Sequence, residues 1–517
     1  MGGFQRARQL AAMAGQAMKG LQFGDGQKMY TDFSGGYISA VSREQVPDNS
    51  TPNCLDIEIT RNNRIRPAPG TTAVETMAHA VSRLAVHASL DLTAELIALA
   101  PPWIGVKGSG ATAWTNVGIA ADNLAFVNFG GTFVLSDGNK VYLRQPNEAF
   151  VATEKIPVSN TYAAFAGRLW TGNCVIDGDM QPLGVSWSDT TSDPESWDTD
   201  AGAGFELLIN DMASGDEVVA LRPMGLDFMA IMCRNSIWVA RRTGLEGRPA
   251  DIQPRVSGTG SLNDKLTVLS RFGIFFVTHL GVHLFDGNSA VLISEAINTD
   301  ILPLDLANLD KYGLFFDPVR RQLWLFTPTG SWMYEVEKNR WMKRSIVAVD
   351  GAMFATQFSA ITWADLVGTW GAQTARWKDF RPEEGQSVAT LFLSIDRQAM
   401  HRLDLSSRNV FGVAMLPYWD TPLTQPERLD ELMTTHGVTL EYCGQGSVSI
   451  LTPGNTSDWQ SAVSLSLPNR TVPDVVTKGM TKTGRGVGAR IVFRTDSPEI
   501  LKVQLVYRKR GRRVDTV

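Results

Sequence analysis

The feature that most constrains this chain is a rhythm of short apolar runs broken by two- and three-residue turns. In "LAFVNFGGTFVLSDGNKVYLR" (124–144) the β-forming residues are interrupted at Gly130-Gly131 and again at Asp137-Gly138-Asn139. The same punctuation falls at Gly167, Arg234-Asn235, Leu280-Gly281, Asp286-Gly287, Pro328-Thr329-Gly330, Lys338-Asn339 and Asp396-Arg397. Flanked by β-branched and aromatic residues, these are hairpin signals, because Gly, Asn and Asp tolerate the positive φ that tight turns require. One apolar anchor per unit, Trp238, Leu284 and Met333, recurs at intervals of 46 and 49 residues. A four-stranded propeller blade uses about 40–50 residues. A single such sheet cannot bury both faces, whereas a ring of them can. Units counted from Trp103 to Leu405 number six to eight. The expected fold is mainly β: a propeller-like ring of short antiparallel blades with an N-terminal arm and a C-terminal β-sandwich-like domain.

Composition fits this reading. The 517 residues include 47 Gly and 24 Pro, spread along the chain, and 14 Trp and 23 Phe to fill sheet interfaces. Three regions are expected: an N-terminal arm and docking segment (1–75), the propeller (76–405), and a C-terminal β-rich domain with a basic tail (406–517). Residues 1–22 read as a short amphipathic helix, and the arm (1–30) as removable without unfolding the propeller. Apolar positions Val74, Met77, Val81, Leu84 and Ala88 have helical spacing. The β-rich neighbourhood pulls against a helix at 74–88. Past residue 406, strands are expected at 438–444, 447–451, 461–467, 489–495 and 500–510.

Motifs for chemistry are sparse. Cys54, Cys174, Cys233 and Cys443 lie far apart with no CxxC, so they read as buried free thiols. His279 and His283 flank a turn and read as ordinary hairpin residues. "SGTGS" (257–261) and "GRGVG" (484–488) lack the strand-then-helix context of a phosphate cradle. "SWSDTTSDPESWD" (186–198) gathers Asp189, Asp193, Glu195 and Asp198 beside Trp187 and Trp197, which invites a sugar-site reading. It departs from the sialidase Asp-box, and a polar loop with an Asp-Pro turn accounts for it. No catalytic, cofactor or metal residues are expected. Net charge is −5, which argues against a dedicated nucleic-acid binder. The exception is Arg508, Lys509, Arg510, Arg512 and Arg513, a solvated tail or a contact for an acidic partner or DNA phosphate. "ELIALAPPWIGV" (95–106) is too short to span a bilayer, so no membrane insertion is expected.

The stretch "DFSGGYISAVSREQVPDNSTPNCLDIEITRNNRIRPAPG" resembles the start of tailed-bacteriophage tail-nozzle and head-to-tail connector proteins, which include the packaged-DNA stabilisation proteins. There a Phe-Ser-Gly-Gly turn precedes a Pro-Asn-Cys triplet and a basic stretch ending in Pro-Gly. Here these are Phe33, Ser34, Gly35 and Gly36, then Pro52, Asn53 and Cys54, then 64–70. "VSWSDTTSDPESWD", "GDEVVALRPMGLDFMAIMCRNSIWVARRTG", "GTGSLNDKLTVLSRFGIFFVTHLGVHLFDG", "RQLWLF" and "YEVEKNRWMKR" resemble later segments in the same order. The resemblance spans roughly 30–345.

The resemblance implies a virion protein of the phage tail, made in the bacterial host cytoplasm. Several copies, most simply a hexamer, would stack below the portal and adaptor rings, beside tail spike or fibre proteins. They would form a channel that holds packaged double-stranded DNA and releases it, without sequence specificity. The turn at Phe33, Ser34, Gly35 and Gly36 would serve docking where the arm meets the propeller. Alternatives are another tail part, such as a baseplate hub or spike-attachment protein, and a carbohydrate-active propeller enzyme.

Overall fold

In a computed structural model the chain is described over residues 26–510, apart from 89–93, 101–102, 109–114, 117–123, 190–192, 209–214, 246, 357–386, 426–431, 454–458, 485 and 497. It is mainly β, and seven four-stranded antiparallel sheets follow one another as propeller blades. Blades 1 to 6 span 83–116, 125–153, 159–207, 218–257, 267–292 and 313–344. Blade 7 takes Ala348–Thr356, Ser387–Ser394 and Ala399–Asp404, and its outermost strand is Gly70–Thr76 from the other end of the chain. That strand ties the last blade to the segment entering the first, so the ring closes by hydrogen bonds between distant parts of the sequence.

The turn chemistry sets the hairpins. Gly130 and Gly131, Gly138 and Gly167 all have positive φ at the tips where the sequence placed turns. Trp238, Leu284 and Met333 each fall on the third strand of their blade, in Ser236–Arg242, Gly281–Phe285 and Gly330–Glu335. Their spacing is therefore a true blade period.

From blade 2 round to blade 7 and on to blade 1, first strands of consecutive blades touch around the axis. Charged residues cross it. Asp264, in a short turn of helix before blade 5, accepts from Arg83 of blade 1 at 3.0 Å and from Arg222 of blade 4 at 2.7 Å. Burial opposes ionisation of Asp264, but the two guanidiniums outweigh it and hold the carboxyl below its usual range. A second clamp joins blades 1 and 2. Glu95 accepts from Arg144 through both oxygens (2.9 and 3.1 Å), and His87 lies 3.3 Å away with its other ring nitrogen on the Gly131 carbonyl.

The C-terminal β-rich domain is one nine-stranded, nearly closed sheet. Its long strands are Leu432–Pro453, Trp459–Gly484 and Glu499–Arg510. Four short N-terminal strands join it: Gly26–Tyr30, Cys54–Leu55, Ile57–Ile59 and Ile65–Pro67. Its apolar interior is continuous with that of blade 6, from Leu440 and Leu505 to Trp324 and Trp341.

Three expectations change. Residues 74–88 are extended: Gly70–Thr76 closes blade 7 and Arg83–Ala88 opens blade 1. The helical spacing there is a coincidence of two strand ends, because each run finds strand partners that outweigh local periodicity. A boundary at 75/76 falls inside the blade-7 strand. Gly26–Tyr30 is not a free arm, since it pairs with Glu499–Arg510 and buries Tyr30, whose hydroxyl donates to the Pro422 carbonyl at 2.8 Å. The helix expected over 1–22 lies outside the described residues.

Candidate functional site

The N-terminal segments singled out above converge on one element, the outermost strand of blade 6, Arg340–Arg344. Burial on both faces fixes that strand: Trp341 belongs to the shared core and donates its indole N–H to the Ile293 carbonyl at 2.8 Å. Arg340 is buried and spreads its guanidinium over three acceptors. These are Glu335 Oε2 at 2.6 Å, the Ile59 carbonyl at 3.1 Å and the Ser34 carbonyl at 3.3 Å.

The double glycine fits against this strand. Gly36 has φ +75°, and a Cβ there would lie 2.8 Å from Arg340 Cβ and 3.0 Å from the Trp341 carbonyl oxygen. A Cβ on Gly35 would lie 1.9 Å from Ser50 Oγ. Gly36-Tyr37 then pairs in parallel with Ser50-Thr51. Of the four candidate docking residues, Phe33 and Gly36 are buried, and Ser34 and Gly35 are half-buried. The Phe33 ring packs edge-on against Trp419 at 5.7 Å, and Tyr37 packs on Trp332 at 4.9 Å.

The next two segments complete the seam. Cys54-Leu55 pairs with Tyr418–Asp420, and burial pushes the Cys54 thiol up to about 12. Asp56 lies fully buried at φ +51°. Its amide donates to the Lys343 carbonyl at 3.0 Å, and its Oδ1 accepts from the Ser345 amide at 2.8 Å and faces Arg344 Nε at 3.4 Å. Arg344 Nη2 donates to the Pro69 carbonyl at 2.5 Å, inside the basic stretch ending at Gly70. The arrangement locks two sheets together.

Other candidates fall elsewhere. Arg508 is exposed, and the backbone of 508–510 is held in the last strand opposite Leu432–Thr434. Arg512 and Arg513 lie outside the described residues. In the acidic loop Asp189 is buried and accepts from Ser196. Asp193 and Asp198 each accept a backbone N–H two residues on, at 2.9 Å. His283 is buried against Phe276, while His279 is exposed. Cys54, Cys174 and Cys233 are buried free thiols and Cys443 is half-buried. Among the described residues no three His, Cys, Asp or Glu side chains converge as metal ligands, and no helix is long and apolar enough to cross a membrane.

Sequence reasoning passed over Asp56, Arg340 and Arg344. Their signal was a pair of arginines bracketing Trp341 and Met342 in "RWMKR", but apart from Glu335 nothing local names their partners, which lie almost three hundred positions away.

Neither a protein-family model nor a curated protein matches the chain. Among solved structures it is similar to BBS1N in complex with ARL6DN, at 7% identity and a TM-score of 0.39, over 66% of this chain and 97% of that one. It is also similar to an inactive virginiamycin B lyase from Staphylococcus aureus, at 9% identity and a TM-score of 0.38, over 65% and 98%. A third is PorZ, a surface component of the type-IX secretion system of Porphyromonas gingivalis. That likeness has 9% identity and a TM-score of 0.37, over 72% of this chain and 44% of that one.

Proposed function

We propose that this chain is a virion structural protein, a subunit of a tailed-phage nozzle or head-to-tail connector. The observation that carries the reading is the seam. Segments that resemble that family in order along the chain, at 33–36, 52–54, 64–70 and 334–344, pack against one another in space. A motif set that builds one rigid junction between a propeller and a second sheet suits a part that must withstand mechanical stress.

In this reading the subunits, most simply six, meet through heterologous contacts that close into a ring. Trp459–Gly484 supports that role. Among the described residues it pairs only with Leu432–Pro453, and its side chains Val472 and Val475 are exposed. An unpaired edge strand is a template for another chain, and Pro468 and Pro473 limit how far such pairing runs. DNA would pass between subunits, since Arg83, Asp264 and Arg222 cross the axis of each propeller. A net charge of −5 suits passage, because a densely basic lumen would hold phosphates by counterion release.

The test is electron cryo-microscopy of the full chain mixed with the portal and adaptor rings of its phage. A six-fold annulus below the adaptor, with an open lumen, is the expected result. Light scattering of the chain alone should give a monomer, so that assembly waits for the partner. Failure to join the rings would overturn the reading.

A further inference from the structure

A second surface lies away from the seam, at the end of the propeller where the turns between first and second strands gather. Two clefts open there, of about 640 and 470 Å³, on either side of the blade-4 turn at Gly225. The larger is lined by Met224, Leu269, Phe272 and Phe316, with Arg271 and Asp286. The smaller is lined by Phe129, Phe165 and Leu226 with Arg242. Leu226 on the dividing turn is 82% exposed, and Val319 on the blade-6 turn is 69% exposed. Phe228 and Leu269 are exposed too. A cluster of exposed apolar tips around concave clefts marks an interaction surface rather than ordinary scatter.

Arginines gather on this rim. Arg241 and Arg242 are exposed and form no ion pair with a carboxylate among the described residues. Arg241 instead lies over the Phe228 ring, 5.9 Å from its centre. Arg271, stacked over Phe272 at 4.6 Å, and Arg321 both turn to the single carboxylate of Glu337. Asp286 stands nearby, with its Oδ1 taken by the Asn288 and Ser289 amides at 2.8 Å. Asp227 lies on the dividing turn, and its carbonyl accepts from the Arg242 amide. Among the described residues, two of these four guanidiniums are unpaired and two share Glu337, while Asp227 and Asp286 are the other carboxylates on the rim.

We propose that this end of the propeller binds an extended protein segment in which carboxylates alternate with large apolar side chains. The apolar side chains would fill the two clefts across Gly225, and the carboxylates would meet Arg242 and Arg271. Arg and aromatic residues in concave, partly desolvated settings are the types that carry most binding energy at protein interfaces. A nucleic-acid backbone would satisfy the arginines but has nothing to place against Leu226, Phe272 and Val319. The inference stands on this face alone and does not need the nozzle reading.

The experiment selects binders from a random dodecapeptide display library on the immobilised full chain, then measures one enriched synthetic peptide by fluorescence anisotropy. Enriched peptides should be rich in Asp and Glu interleaved with Leu and Phe. Binding should weaken by about tenfold or more in Arg242→Glu/Arg271→Glu, as expected when paired charges are reversed. Leu226→Asp, on an exposed tip, should weaken it similarly. Arg234→Ala, remote from the clefts, should leave it unchanged, and all variants should melt as the parent does. Four results would each overturn the proposal: no enrichment, enrichment without acidic residues, equal binding by the variants, or a short DNA duplex binding through these residues while peptides do not. Self-association abolished by the same substitutions would overturn it in favour of a second copy of this chain.

Discussion

Gly36 and Arg340 are packed with no room for a side chain between them: a Cβ on Gly36 would sit 2.8 Å from Arg340 Cβ, on a backbone with φ +75°. Gly36→Ala should therefore cost both left-handed strain and overpacking, roughly 2–4 kcal/mol together. Gly167 also has φ +75°, but nothing lies within 4 Å of its would-be Cβ. Gly167→Ala should cost only the backbone strain, about 1 kcal/mol. Urea unfolding of the two variants checks this. Equal losses would mean that close approach at the seam contributes nothing.

Asp56 and Arg344 form a buried ion pair with 0% and 3% side-chain exposure. Removing one partner leaves the other charge buried and uncompensated, at about 3–5 kcal/mol. Asp56→Ala and Arg344→Met should each lower stability by that order. The double substitution should lose less than the sum of the two, because neither charge is then stranded. Thermal unfolding of the four proteins closes the cycle, and strict additivity would show that the two groups do not interact.

The clamp between blades 1 and 2 should be sensitive to acid. Burial alone would raise the Glu95 carboxyl, but hydrogen bonds from His87 and Arg144 outweigh it and hold it at about 2, against 4.5 when free. A carboxyl lowered in the folded state contributes stability above the free value and loses it as pH falls through the folded value. The contribution, about 3 kcal/mol at most, should be constant above pH 4.5 and fade between there and about 2. The gap in stability between the parent and Glu95→Gln should shrink across that window. A gap independent of pH would place the clamp's contribution in packing.

Truncation of residues 1–30 should damage the C-terminal sheet and spare the blades. It removes Gly26–Tyr30 from the edge of Glu499–Arg510, and with it the buried Tyr30. Limited proteolysis should then cut first within 432–510 while a fragment covering the blades persists. An unchanged cleavage pattern would mean that this strand adds nothing to the sheet.

The sequence by itself determined what depends on neighbouring residues. Gly, Asn and Asp at positive φ place the hairpin tips, and the apolar runs between them supply strands of blade length. That is why Gly130-Gly131, Gly138 and Gly167 fall at turns, and why Trp238, Leu284 and Met333 share one position in successive blades. The tertiary structure alone decided what depends on partners far away in the chain. It fixed the number of blades at seven, closed the last with Gly70–Thr76, and set Gly26–Tyr30 beside Glu499–Arg510. It also set Gly36 against Arg340 and Gly35 against Ser50, with no room for a Cβ at either. The physical reason is one of range. Turn propensity acts over two to four residues and is written in their side chains. Ring closure, edge pairing and the ion pairs of Asp56 and Asp264 depend on which distant groups the closed ring brings within hydrogen-bond reach.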